Sequence, residues 1–298
     1  MGTVQQQHTN GWKHEIDDVI RGACGGFLFG IPLLYTMEVW WIGSYSKPLL
    51  RMMAIATAFV VVFLLNRTGG FRRVKKGGLA DSAMDSVEAI AIGLVCTTLV
   101  LVLLQEITLT TQLGEALGKL IFESVPFTLG VALANQVLSA DDDSQTRQST
   151  GGTSNTSSEA AAPSSDLNAT LSDIGATLIG AIIVAFNIAP TDEVPMLAAA
   201  VSGVWLLLMI LASLVISYGI VFYAGFSNQK QRMQQKGVFQ RPSSETVMAY
   251  LVSLASAALM LWFFQKLTLD DPWTMWLDHT LILGLPAAIG GAAGRLAV

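Results

Sequence analysis

The stretch Leu94-Val95-Cys96-Thr97-Thr98-Leu99-Val100-Leu101-Val102-Leu103-Leu104-Gln105-Glu106-Ile107-Thr108-Leu109 carries two readings. Its first part belongs to an apolar run long enough for a helix to cross roughly 30 Å of hydrocarbon, which takes about 20 residues. Its last five residues return as Gln265-Lys266-Leu267-Thr268-Leu269 at the end of another such run. The chain therefore reads as helical, membrane-embedded and duplicated.

Composition supports the first point. Hydrophobic residues make up 52% of the 298 and charged residues 13%, with a mean hydropathy of +0.53. A soluble domain of this size cannot hide that much apolar surface. The runs predict eight spans, over Gly22–Trp41, Leu49–Leu65, Val87–Ile107, Leu113–Leu138, Leu171–Ala189, Leu197–Ala224, Val247–Leu267 and Leu277–Val298. Residues 1–20 form a polar N-terminal segment. Residues 139–170, rich in Ser, Thr and Asp, read as a disordered linker because they carry too little apolar surface to offset ordering.

The second point rests on alignment. A shift of about 160 positions sets Val87 on Val247, Leu94 on Leu254, Gln105 on Gln265, Pro126 on Pro286 and Gly130 on Gly290, without a gap. A shift of about 155 sets Gly25 on Gly180, Thr36 on Thr191 and Glu38-Val39 on Glu193-Val194. The expected fold class is all-α, a polytopic membrane protein of eight helices in two four-helix repeats, 21–138 and 171–298. Four spans per repeat is an even number, so the repeats enter the bilayer in the same direction and are parallel. Basic residues gather at Arg67 to Lys76 and at Lys230 to Arg241. The positive-inside rule then puts both termini and the linker in the cytoplasm.

Thr36-Met37-Glu38 and Thr191-Asp192-Glu193 are the candidate site, because an acid in or near a span points to function. Glu38 and Glu193, with the hydroxyls of Thr36 and Thr191, offer the oxygen ligands that hard cations prefer, and carboxylate rings select cations. The structural alternative is a solvated carboxylate ending a helix beside Trp40. Gln105 and Gln265 read as interhelical hydrogen-bond donors. Glu106 and Lys266 occupy matching positions with opposite charge, which suggests an ion pair between repeats or two solvated side chains. Glu123, deepest in its span, suits a proton relay or a hydrogen-bonded packing role. Cys24 and Cys96 read as small core residues, with no disulfide and no metal site.

Several classes drop out. There is no nucleotide-binding loop, no nucleophile elbow and no metal-ligand set, and His8, His14 and His279 are scattered. The expectation is a protein that is no enzyme, holds no cofactor and binds no nucleic acid. Gly25-Gly26-Phe27-Leu28-Phe29-Gly30-Ile31-Pro32-Leu33-Leu34-Tyr35-Thr36-Met37-Glu38-Val39-Trp40-Trp41 resembles an uncharacterised family of bacterial integral-membrane proteins. The resemblance covers most of the chain outside the linker. It implies eight spans in a bacterial inner membrane and supplies no activity. Two chains paired as a homodimer would bring four Thr-x-Glu stretches together, which suits a small inorganic cation passing through a channel in the lipid bilayer. A secondary transporter such as a cation/proton exchanger is the first alternative, and a scaffold acting through the cytoplasmic linker is the second.

Overall fold

The computed structural model describes residues 2–68, 78–138, 166–223 and 242–296. Residues 139–165 of the expected linker and most of both basic clusters lie outside these residues, while 166–170, expected as its end, are helical. Among the described residues the chain is helical, with no strand. In the first half, α1 (Gly2–Leu34), the short α2 (Met37–Tyr45), α3 (Pro48–Thr68), α4 (Leu79–Leu103) and α5 (Leu113–Leu138) follow one another. In the second half come α6 (Asp166–Ile188), the short α7 (Glu193–Ala200), α8 (Gly203–Tyr218) extended by a π turn (Gly219–Tyr223), α9 (Pro242–Phe263) and α10 (Trp273–Leu296). Each half thus runs long, short, long, long, long.

Six of the described helices are long and apolar enough to cross a membrane, seven if α1 and α2 count as one broken span. The eighth expected span, α10, is 24 residues long, roughly 36 Å at 1.5 Å per residue. Asp278, His279, Arg295 and its glycines lower its hydropathy, and between Leu281 and Ala292 it is buried in protein.

Two expected boundaries move. The first span stops at Leu34, and the chain turns by 90° into α2, so Trp40 and Trp41 lie on a crosswise helix. Pro32 removes a backbone donor from the last turn of α1, and Thr36 is extended at φ −124°. Both favour a break that a run of apolar letters conceals. The Trp40 indole folds back and donates to the Leu34 carbonyl at 2.8 Å, capping the end of α1. In the second half, Leu197 to Ala200 belong to α7, and the span begins only at Gly203, after extended backbone at Val201 and Ser202. The polar N-terminal segment also differs from the expected separate unit, since one helix runs from Gly2 through the first span.

The helices pack in a matching order in both halves. The first helix lies closest to the last, α1 on α5 and α6 on α10. Glycine permits this approach. A Cβ on Gly25 would stand 2.6 Å from the Gly130 carbonyl oxygen, and one on Gly180 would collide with the Gly290 carbonyl. Small residues that let backbones touch are how helices associate where lipid removes the hydrophobic drive.

The turns after α4 and α9 are also alike. Gln105 (φ 61°) and Gln265 (φ 59°) are the non-glycine residues with left-handed backbone among those described. Glu106 and Lys266 donate their N–H groups to Leu101 and Leu261, each at 2.9 Å. Thr111 and Asp271 donate theirs to Thr108 and Thr268, each at 3.1 Å.

The halves meet unequally. α1 packs on α10 and on the π turn, and α4 touches α8. Between α4 and α8 runs an apolar groove of about 800 Å³, lined by Phe27, Leu99, Val102, Trp205, Leu208 and Val215 among others. Among the described helices, α6 packs mainly on α9 and α10 of its own half.

Candidate functional site

The two Thr-x-Glu stretches come together where the halves meet. The breaks that end α1 and α6 place Glu38 and Glu193 in the first turns of α2 and α7. Glu38 is exposed, whereas Glu193 is only 6% exposed. The Met37 N–H donates to Glu193 Oε1 at 3.4 Å, so the carboxylate of the second half faces the first turn of α2. A negative charge is favoured there because the first N–H groups of a helix lack intrahelical partners. Thr36 makes no side-chain capping bond, and Thr191 donates its hydroxyl to the Ile188 carbonyl at 2.6 Å. Both threonine oxygens keep lone pairs.

Tyr35 fastens this corner. Pro286 has no N–H to offer the carbonyl four residues earlier, which is Ile282. The Tyr35 hydroxyl supplies the missing donor at 2.7 Å, across the boundary between the halves. Sequence reading passed over Tyr35. The signal was available in the spacing of Pro286 and Ile282, but not the identity of the donor.

The charges partner differently from expectation. Glu106 and Lys266 do not pair with each other. Glu106 meets Lys119 at 3.1 Å, Lys119 also meets Glu115 at 2.9 Å, and Lys266 meets Asp192 at 2.7 Å. Matching positions in the two halves do not imply contact, and the fold brings Lys119 of α5 to Glu106 in the turn before it. Gln105 and Gln265 are likewise not interhelical bonds. Each amide donates to a carbonyl of its own helix, Gln105 to Val102 at 3.0 Å and Gln265 to Trp262 at 3.3 Å. The left-handed backbone turns the side chain back over the helix end.

Glu123 is 1% exposed on α5, and its Oε1 has no hydrogen-bond partner among the described residues. It lies one turn along α5 from the Lys119 cluster. In the second half His279 stands at the place of Lys119, buried and with no partner for Nδ1 among the described residues, and Leu283 at that of Glu123. A further buried ion pair, Arg295 to Glu245, joins α10 to α9, with the guanidinium 5.4 Å from the centre of the Phe222 ring. Sequence reading missed it because both residues sit at the ends of apolar runs. Cys24 and Cys96 are buried free thiols, as expected. No group of three or more His, Cys, Asp or Glu that could hold a metal ion occurs among the described residues.

In the second turn, Asp271 accepts from the Thr268 N–H at 2.7 Å and from its hydroxyl at 2.9 Å. The backbone bond, then the hydroxyl bond, hold the Asp271 carboxyl below the usual carboxylate range. The first turn has Thr111 in that place, accepting the Thr108 N–H at 3.0 Å.

Residues 18–298 match the family described as "Putative integral membrane protein (DUF2391)". The chain belongs to that family. The DUF2391 match spans both halves and the linker, and it carries membrane integration without an activity. No curated protein and no solved structure matches the chain.

Proposed function

We infer that this DUF2391 protein is a non-enzymatic ion-transport protein of two parallel four-helix repeats, conducting small cations along the axis that relates them. The observation that carries this reading is the bond from Met37 to Glu193. Under the duplication Glu193 corresponds to Glu38, the neighbour of Met37. Nearly equivalent positions thus lie within one hydrogen bond of each other, and a rotation that moves a point so little has its axis close by. The duplicated acids therefore line that axis at one end of the protein. The shared turn geometry at Gln105 and Gln265 and the shared glycine contacts support the repeat itself.

A homodimer would bring four Thr-x-Glu stretches to one mouth, and rings of carboxylates concentrate and select cations. The charge distribution of the sequence puts this mouth on the outer face of a bacterial inner membrane, with both termini cytoplasmic. A second reading rests on Glu123. A buried carboxyl with an unpartnered oxygen, one turn from a lysine shared by two other acids, is the kind of group a cation/proton exchanger uses.

Ion flux into proteoliposomes tests both. Passive cation uptake that falls sharply in the Glu38→Gln/Glu193→Gln variant is the expected outcome. Uptake that requires an opposing proton gradient and disappears in Glu123→Gln favours the exchanger. Uptake indifferent to all three substitutions removes the carboxylates from the path.

A further inference from the structure

The interface between the halves joins unlike faces. On α1, Cys24, Leu28 and Ile31 lie at helical spacing on one stripe that ends at Tyr35, whose hydroxyl reaches Ile282 of α10. Cys24 also faces the π turn, for a Cβ on Gly219 would lie 3.3 Å from its sulfur. The front of the first half therefore packs on the back of the second. Such head-to-tail contact leaves one front and one back uncovered, and it either closes into a ring or runs on.

The uncovered faces are visible in the exposure of matching residues. Ile179, Ile183 and Phe186 on α6 stand where Cys24, Leu28 and Ile31 stand on α1. They are 62%, 59% and 51% exposed, while Cys24 is 5% and Ile31 0% exposed. On α5, Phe122, Val125 and Leu129 form a half-exposed stripe, yet their counterparts Ile282, Leu285 and Ile289 on α10 are fully buried. Apolarity alone would say nothing here, since lipid covers apolar helices well. Here, however, the same two faces already bind each other once within the chain, where α1 meets α10.

We propose that the free α6 face of one chain docks on the free α5 stripe of a second copy, and reciprocally, so that two chains close a ring of four halves. Each junction in that ring repeats the α1-to-α10 contact. Asn187, exposed near the same α6 face, donates one N–H to its own Ile183 carbonyl and keeps a second for a neighbouring helix. The inference rests on the duplication and dimer proposed above, and not on conduction.

Cysteine cross-linking of the full-length protein in its own membranes tests it. The chain carrying both Ile183→Cys and Val125→Cys, oxidised with copper phenanthroline, shifts to twice the monomer mass on a non-reducing gel. Each single variant and the unmodified protein, whose native cysteines are buried, stay monomeric. Cross-linking by Ile183→Cys alone would overturn the docking, because it means α6 meets α6. A ladder above the dimer would overturn the closure. Native mass spectrometry of the unmodified protein in lipid nanodiscs guards against variants that misfold. Two copies per particle support the ring, and a single copy overturns it by leaving both faces to lipid. Cross-linked dimers without flux would retain this interface and remove the pore. Flux from a protein that stays monomeric would do the reverse.

Discussion

In the first half Lys119 reaches from α5 to Glu106 in the turn, while in the second half His279 takes the place of Lys119 and the turn's Lys266 looks away to Asp192. The backbone beneath these side chains is nevertheless the same. Both turns place a left-handed glutamine, the same crossing hydrogen bonds and a threonine at corresponding positions. The difference teaches which residues set the shape. Glutamine, threonine, proline and glycine recur because backbone geometry needs them, and the charges vary because many arrangements neutralise them equally well.

Buried charge should separate the two halves most. Glu245→Leu leaves the Arg295 guanidinium inside the protein without this partner, which costs about 3–5 kcal/mol for a buried pair. Lys119→Met, in the first half, releases Glu106 and Glu115, which water can still reach, so about 1 kcal/mol is expected. Thermal unfolding of the purified protein in lipid–detergent micelles ranks the two. Equal losses would mean that burial does not separate them.

A smaller effect concerns Pro286, which lies inside the continuous helix α10. Tyr35→Phe strands the Ile282 carbonyl, for about 1–2 kcal/mol. Pro286→Ala restores an N–H to that carbonyl, and in that background Tyr35→Phe should cost much less. The four-protein cycle reads the coupling directly. Independent effects would show that the hydroxyl answers something other than the proline.

The smallest effect separates the turns by pH. Because folding lowers the Asp271 carboxyl, its contribution is complete above the ordinary carboxylate range and is lost as pH falls through the lowered value. The Thr268 amide should then exchange with solvent faster relative to the Thr108 amide, whose acceptor Thr111 does not titrate. Hydrogen exchange across acid pH measures the ratio, and a constant ratio would deny Asp271 its role.

Much of the fold was legible in the sequence because hydrocarbon imposes a length and a composition. The runs at Leu49, Leu113, Leu171 and Val247 became helices close to their expected bounds, and the run at Val87 became one that starts earlier, at Leu79. Gly290 and its neighbours became the tight packing face that their small side chains suggested. The break at Tyr35 was not legible, since apolar letters continue through it into Trp40 and Trp41 and conceal a right-angle turn. The site was read in part. Sequence paired Glu38 with Glu193 by position, but that one would be exposed and the other drawn under α2 depends on how the halves meet. Lys119 was missed for a related reason. Its partners sit in a turn and on its own helix, and only the closed turn brings Glu106 to it.

The left-handed glutamines have a consequence for the order of assembly. A turn that seals its own helix end lets α4 and α5 form a hairpin from neighbours in sequence, and α9 and α10 do the same. Contacts local in the chain form early, and domains fold as units during synthesis. The first hairpin can therefore be complete before the second half leaves the ribosome, and the bond from Tyr35 to the Ile282 carbonyl forms only once α10 has followed.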